Sequence, residues 1–326
     1  MHTFYRTVDA LIMMSEHEGF CVPIAEAQFH KLPIIALDRG AIGETLGANF
    51  DAAIEKWGDR EALVVGHQNI RWTYRDLARE VDDFAAGLLA LGLETGDRIG
   101  IWSPNNSEWV VAQYATAKIG LILVNINPAY RVSEVEYALN KVECKALILA
   151  SVFKSSDYPA MIRELAPEIE RCEIGKLRAE RLPFLNILIQ IGEDVGKGFY
   201  TFCEISRLSA LNTRRKVKAL AKTQQFDWPI NIQFTSGTTG KPKAAMLRHR
   251  HLVSYVLGSV EFMGATEDEA TLVSVPPYHI AGMAALLSNV YAGRRIVQLP
   301  TFDAESWVDL VRTCLLYTSP SPRDGL

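Results

Sequence analysis

Arg98-Ile99-Gly100-Ile101-Trp102, then a helical stretch through Glu108–Ile119, then Leu121-Ile122-Leu123-Val124 is the segment that decides the fold class. Two short apolar runs separated by a helix-length segment read as parallel strands joined by a crossover helix. Upstream, Thr73 and Asp76 form an N-terminal capping signal. It precedes Leu77, Val81, Phe84, Leu88 and Leu91, spaced three and four apart along one helical face. Gly92 supplies the stop. Downstream, Ser133 and Glu136 predict the cap of another helix, and Cys144-Lys145-Ala146-Leu147-Ile148-Leu149 reads as a further buried strand. Apolar strands alternating with amphipathic helices over residues 48–226 imply a largely parallel sheet covered on both faces, so the class is α/β.

The bulk properties set limits on function. The chain has 326 residues, 48% hydrophobic and 22% charged, a globular composition. A net charge of −4 offers no electrostatic argument for binding nucleic acid or an anionic membrane. The basic run Arg214-Arg215-Lys216-Val217-Lys218 reads as the solvated face of a helix. Five cysteines, odd in number, scattered and without a Cys-x2-Cys pair, argue against a disulfide framework or a zinc site. They fit a reducing compartment. Met1-His2-Thr3-Phe4-Tyr5-Arg6 does not open a signal peptide, and no apolar run approaches the roughly 20 residues of a membrane span. A cytoplasmic location is the expectation.

Chemistry concentrates in Phe234-Thr235-Ser236-Gly237-Thr238-Thr239-Gly240-Lys241-Pro242-Lys243, directly after the apolar run Ile230-Asn231-Ile232-Gln233. Glycine removes the Cβ that would keep a polyphosphate away from the backbone, and exposed N–H groups in such a turn form an anion-binding concavity. Thr235, Ser236, Thr238 and Thr239 add neutral donors, and Lys241 and Lys243 add charge. The spacing is not that of the Walker loop, because Pro242 stands where a magnesium-binding hydroxyl would be. The competing interpretation is an ordinary Gly/Ser/Thr surface turn.

The string resembles the phosphate loop of the adenylate-forming (AMP-binding) superfamily, which includes acyl-CoA synthetases. The resemblance to the N-terminal part of a bacterial fatty-acyl-CoA synthetase extends through Phe50-Asp51, Asp59-Arg60-Glu61-Ala62-Leu63, Gly96–Trp102, Asn125-Ile126-Asn127-Pro128-Ala129-Tyr130-Arg131 and Glu134–Leu139. Most of these residues read as scaffold, including Thr95-Gly96-Asp97, a loop before a strand. The resemblance implies stacked α/β subdomains over residues 48–313, with the second incomplete. It also implies phosphate contacts from Thr235, Ser236, Gly237, Thr238, Thr239, Gly240, Lys241 and Lys243. Val275-Pro276-Pro277-Tyr278-His279-Ile280-Ala281-Gly282 matches the family's next motif and makes His279 a candidate substrate contact, against the ordinary alternative of a core histidine. His249 aligns with a family histidine and is expected to pack structurally. Ala244 departs from the glycine usual after Lys-Pro-Lys.

The implied reaction is two-step, with ATP, Mg²⁺ and coenzyme A. A fatty acid's carboxylate attacks the α-phosphate of ATP, and the thiol of coenzyme A then takes the acyl group from the acyl-adenylate. No Tyr-Gly-x-Thr-Glu or Tyr-x-Thr-Gly-Asp string follows His279, so the catalytic and metal-anchoring residues are expected beyond this stretch, and no metal ligand is assigned within it. The ends read differently. Residues 1–47, with Glu18 and Glu26, resemble a fragment of the donor-binding half of a retaining glycosyltransferase that uses a nucleotide-sugar. Residues 314–324 resemble translated sequencing adapter, and the tail 314–326 is expected to be disordered. Arg248 to Arg312 suggest a different acyl-CoA synthetase subfamily from the residues upstream. The alternatives are a glycosyltransferase, or a nucleotide-binding fragment without catalysis.

Overall fold

The computed structural model describes residues 45–235, 242–263 and 266–313, with the backbone of Leu11–Met13 and Ile34–Ala36. Those two short strands, β1 and β2, pair in parallel with Leu11 opposite Ile34. Glu18, Glu26 and the tail from 314 onward lie outside the described residues.

Helix α1 (Leu46–Trp57) starts at Thr45, whose hydroxyl accepts the Ala48 N–H at 3.3 Å. Strands β3 (Glu61–Val65) and β4 (Ile70–Thr73) form an antiparallel pair leading into α2 (Tyr74–Ala90). There the expected capping box forms. The Thr73 hydroxyl accepts the Asp76 N–H, and the Asp76 carboxylate accepts the Thr73 N–H, both at 3.1 Å. Leu77, Val81, Phe84 and Leu88 are buried, and Gly92 sits at φ +81° just past the helix end.

The segment that decides the class then folds as expected, with β5 (Arg98–Trp102), α3 (Ser107–Ile119) and β6 (Ile122–Asn125). Helix α4 (Val132–Lys141) follows, and its cap differs from the sequence expectation. The Arg131 N–H donates to the Glu134 carboxylate at 2.7 Å, while Glu136 instead takes both arms of Arg181 at 2.9 and 2.7 Å. A backbone N–H is available at any residue but proline, so the capping carboxylate needs no Ser or Thr partner. Next come β7 (Ala146–Leu149), a small hairpin β8 (Val152–Phe153) and β9 (Ser156–Asp157), α5 (Tyr158–Leu165), β10 (Ile187–Gln190) and β11 (Tyr200–Thr201). Helices α6 (Phe202–Arg207) and α7 (Leu211–Ala221) precede β12 (Pro229–Thr235) and β13 (Lys243–Arg248). On α7, Arg214, Arg215, Lys216 and Lys218 are exposed and Val217 is buried, the solvated face expected. The described chain closes with α8 (His249–Met263), β14 (Ala270–Val273), α9 (Ile280–Tyr291), β15 (Arg295–Gln298) and α10 (Ala304–Thr313).

Two sheets result. The larger has seven strands in the order β11-β10-β7-β5-β6-β12-β13, all parallel except β13, which runs antiparallel to β12. The smaller has the order β14-β15-β3-β4, so β3, from the start of the described body, pairs in parallel with β15 near its end. One apolar core lies between the sheets and draws on Ile99, Ile101 and Ile230 from the larger and Leu63, Val273 and Ile296 from the smaller. Trp102, Val124, Leu147 and Ile232 face a second core on the other side of the larger sheet. Burial on both faces is why its strands read as continuous apolar runs. No helix among the described residues is long and apolar enough to cross a membrane. Cys144, Cys172 and Cys203 are free thiols, and burial pushes the Cys144 thiol up to about 12.

His249 ties the start of α1 to the start of α8. It is buried, and its Nδ1 accepts the Leu46 N–H at 3.1 Å. Burial lowers its pKa to about 4. The unfolded chain therefore takes up the proton first as pH falls. The stabilisation from neutral His249 is complete above pH 6.5 and is lost progressively as pH drops toward 4, by on the order of 3 kcal/mol. Urea unfolding across this window should show that slope in the wild type and a flatter one in His249→Asn, which keeps an acceptor for Leu46 but does not titrate. Equal slopes would remove His249 as the source.

Candidate active site

Contacts near the carboxyl ends of β6, β12, β14 and β15 join the two main sheets, and open α/β sheets bind ligands outside the carboxyl ends of their strands. Of the residues expected to contact phosphate, the structure places Thr235, the last residue of β12, and Lys243, the first of β13. They are direct partners in the antiparallel ladder, and both are exposed. Ser236, Gly237, Thr238, Thr239, Gly240 and Lys241, between them, lie outside the described residues. The neck is anchored from one side: Phe234 and Ala244 pack against the second core, and the Tyr137 hydroxyl donates to the Pro242 carbonyl at 3.2 Å. Tyr130 stands close by. Burial pushes its phenol up, and Glu134, Tyr137 and Tyr278 add to the shift.

The turn that carries Tyr130 is built from structural contacts. Trp102 donates its indole N–H to the Asn127 carbonyl at 3.1 Å and stacks on Tyr158 at 3.8 Å between centroids. The Tyr158 hydroxyl donates to the Pro128 carbonyl at 2.6 Å, and Asn127 Oδ1 accepts the Ala129 N–H at 2.9 Å. These contacts give Asn127 and Pro128 a scaffold role, as their sequence suggested. Asp97 is likewise structural, since its carboxylate accepts the Glu94 N–H at 2.8 Å and the Lys145 ammonium at 2.7 Å.

His279 lies on the smaller sheet's side, in the turn between β14 and α9. Its N–H donates to the Pro276 carbonyl at 3.0 Å, its carbonyl accepts the Met283 N–H at 3.1 Å, and its Nδ1 accepts the Ala281 N–H at 3.2 Å as the cap of α9. The imidazole is exposed, so His279 is not a core histidine. Gly282 makes the turn tight: a Cβ there would overlap the carbonyl oxygens of both Val275 and Pro276.

Three buried amides, which the sequence reading did not single out, join the two halves. Asn105 Nδ2 donates to the Leu299 carbonyl at 2.9 Å and lies 3.5 Å from that of Val273, at the ends of β15 and β14. Gln233, opposite Asn125 in the ladder, donates from Nε2 to the Tyr278 carbonyl at 3.4 Å. Met283 Sδ lies 3.7 Å from Asn125 Nδ2 and 4.0 Å from Gln233 Nε2. The signal was present in the sequence. Asn231 and Gln233 alternate with Ile230 and Ile232, which places two amides on one face of a buried strand. Asn231 is satisfied by a reciprocal pair with Gln113 at 3.0 and 2.9 Å.

Fold and contacts together define an α/β protein whose two main sheets are joined by buried amides, with Thr235 and Lys243 exposed at the end of the β12–β13 ladder and His279 exposed in the turn before α9. The chain belongs to the AMP-binding enzyme family, whose profile matches residues 50–320. It is 39% identical over 290 residues to the medium-chain acyl-CoA ligase ACSF2, mitochondrial, of Bos taurus, covering 85% of this chain and 47% of that protein. The Homo sapiens ACSF2 is 38% identical over 290 residues, with the same coverage of 85% and 47%. The chain thus spans about half the length of the curated relatives it matches. Among solved structures, the fold is similar to that of the anthranilate CoA ligase AuaEII in complex with anthranoyl-AMP, with a TM-score of 0.70 at 21% identity over 83% of this chain and 48% of that one. It is also similar to the N-terminal domain of FACL13 from Mycobacterium tuberculosis, with a TM-score of 0.68 at 21% identity over 82% of this chain and 60% of that one.

Gly282→Ala should lower stability by about 1–3 kcal/mol, the usual range for overpacking, because the new methyl group meets backbone rather than a movable side chain. A urea denaturation midpoint equal to that of the wild type would show that the Val275–Pro276 turn yields.

Proposed function

We propose that residues 48–313 form a portion of the carboxylate-activating domain of an ATP-dependent acyl-CoA ligase acting on fatty acids. Family membership is the observation that carries this reading, and the pairing of Thr235 with Lys243, two residues from the Gln233 amide that bonds Tyr278, supports it. The donors of Thr235, Ser236, Gly237, Thr238, Thr239 and Gly240, with the charges of Lys241 and Lys243, would hold the β and γ phosphates of ATP. As the fatty-acid carboxylate attacks the α-phosphate, negative charge moves onto the departing pyrophosphate. Positioned donors oppose that build-up most effectively, and losing one costs about 3 kcal/mol of barrier. His279, exposed at the cap of α9, would face the acyl-adenylate, and the thiol of coenzyme A would then take the acyl group. The name of the ACSF2 relatives makes a medium-chain acid the first substrate to try.

Mg²⁺ belongs to the same reading and would neutralise part of the phosphate charge. Its usual donors fit poorly here: among the described residues no group of three or more His, Cys, Asp or Glu side chains could hold a metal ion.

The organisation proposed with this function keeps residues 1–47 as a glycosyltransferase-like fragment and 314–326 as an adapter-derived tail. Leu46 nevertheless packs into the core between the sheets. A reducing, cytoplasmic setting is supported by the free thiols of Cys144, Cys172 and Cys203.

The test is calorimetric titration of the 326-residue polypeptide with ATP. Binding should be measurable, and the Lys241→Ala/Lys243→Ala variant should weaken it at least about tenfold, or 1.4 kcal/mol. Absence of ATP binding, or binding that ignores both lysines, would overturn the phosphate-site assignment. In the companion ATP–pyrophosphate exchange assay with a panel of fatty acids, these 326 residues alone should stay at background. They contain no Tyr-Gly-x-Thr-Glu string after His279. Carboxylate-dependent exchange would show that the missing motifs are dispensable.

A further inference from the structure

Gln233 occupies an unusual position in the seam between the sheets. It is buried at 7% exposure on β12, two residues before Thr235 and on the same face of the strand. Its neighbour on that face, Asn231, bonds back to Gln113 on α3, the helix that packs under the same sheet. Gln233 instead crosses to the other sheet's side, donating from Nε2 to the Tyr278 carbonyl at 3.4 Å. Asn125, its partner on β6, reaches only the Met283 thioether at 3.7 Å, a weak acceptor.

The Tyr278–His279 turn is stiff within itself. The His279 N–H, carbonyl and Nδ1 are all engaged locally, by Pro276, Met283 and Ala281. Gly282 packs without a gap against the Val275 and Pro276 carbonyls. A stiff turn moves as one piece, so a displacement of the carboxyl end of β12 passes to His279 through the Gln233 amide rather than dissipating in the turn.

We propose that Gln233 is a positioning residue that transmits the state of the carboxyl end of β12 to His279, so that ATP at one wall of the site orients the imidazole at the other. The inference rests on the reading above that Thr235 and Lys243 belong to an ATP site. The link is an uncharged amide–carbonyl bond, so it acts through geometry and not through field.

The experiment uses the whole chain with ¹³C-labelled histidine, the His279 resonance being assigned by its loss in His279→Ala, and α,β-methylene-ATP as the probe. In the wild type the His279 signal should move as the analogue saturates. In Gln233→Met, which keeps the side chain's length and removes the donor, it should stay at its free position while the Kd for the analogue changes by less than about threefold. Gln233→Leu, which also removes the donor, takes the same measurement if the methionine variant does not fold. Met283→Leu, a volume-conserving change that leaves the Gln233–Tyr278 bond in place, should keep the wild-type shift.

An equal His279 shift with and without the Gln233 amide overturns the inference and leaves the ATP site standing. Loss of the shift in Met283→Leu overturns it as well, because packing and not the amide would then carry the signal. No binding of the analogue to the wild type overturns the ATP-site reading and the inference with it.

Discussion

Helix α3 has almost no solvent face, and the rest of the fold is organised around that constraint. From Trp109 to Ile119 every residue is buried, and only Glu108 in the helix is half-buried. A helix apolar on all sides must be enclosed by other elements. Here α1, α2, α7 and β6 surround it. Its polar residues need specific partners for the same reason. Lys118 donates to Asp51 at 2.9 Å and Asp82 at 2.6 Å, one carboxylate from α1 and one from α2. Burial lowers the pKa of that ammonium, but Asp82 and Asp51 outweigh it and the net shift is upward. Gln113 finds Asn231, which fixes the helix against β12, the strand that leads to the candidate phosphate loop.

With α3 fixed, the site becomes a matter of where strands end. β5, β6 and β12 point their carboxyl ends at the seam, and β14 and β15 approach it from the smaller sheet. Buried amides make the join, not apolar packing alone. Asn105 holds the Leu299 and Val273 carbonyls, and Gln233 holds that of Tyr278. Amides suit this place because each bond is directional and carries no charge to desolvate. Thr235, Lys243 and His279, close in sequence to these bonded groups, remain exposed.

Local signals were read well from sequence because they are local physics. The Thr73–Asp76 box, the face of Leu77, Val81, Phe84 and Leu88, and the strand Arg98–Trp102 each depend on residues within a turn or two of one another. The cap of α4 was misplaced because the carboxylate of Glu134 closes on a backbone N–H, a group every residue but proline possesses. The β3–β15 pairing left no trace in either segment, since Leu63 and Ile296 are simply apolar and nothing in them specifies a partner. The seam amides were legible only as an oddity, polar residues at alternate positions of a buried strand. His279 stood out in the sequence only as part of a motif; its capping bond to Ala281 and its exposure needed coordinates.

The β3–β15 ladder also has a consequence for synthesis. Strand β3 leaves the ribosome early, carrying Leu63, Val64 and Val65, all buried in the finished body. Its parallel partner is Ile296–Gln298, and at usual elongation rates that partner appears roughly ten to fifty seconds later. During that interval β4 can protect only one edge of β3. The nascent chain therefore passes through a long stage with an open apolar strand edge, in which aggregation competes with completion of the two-sheet state.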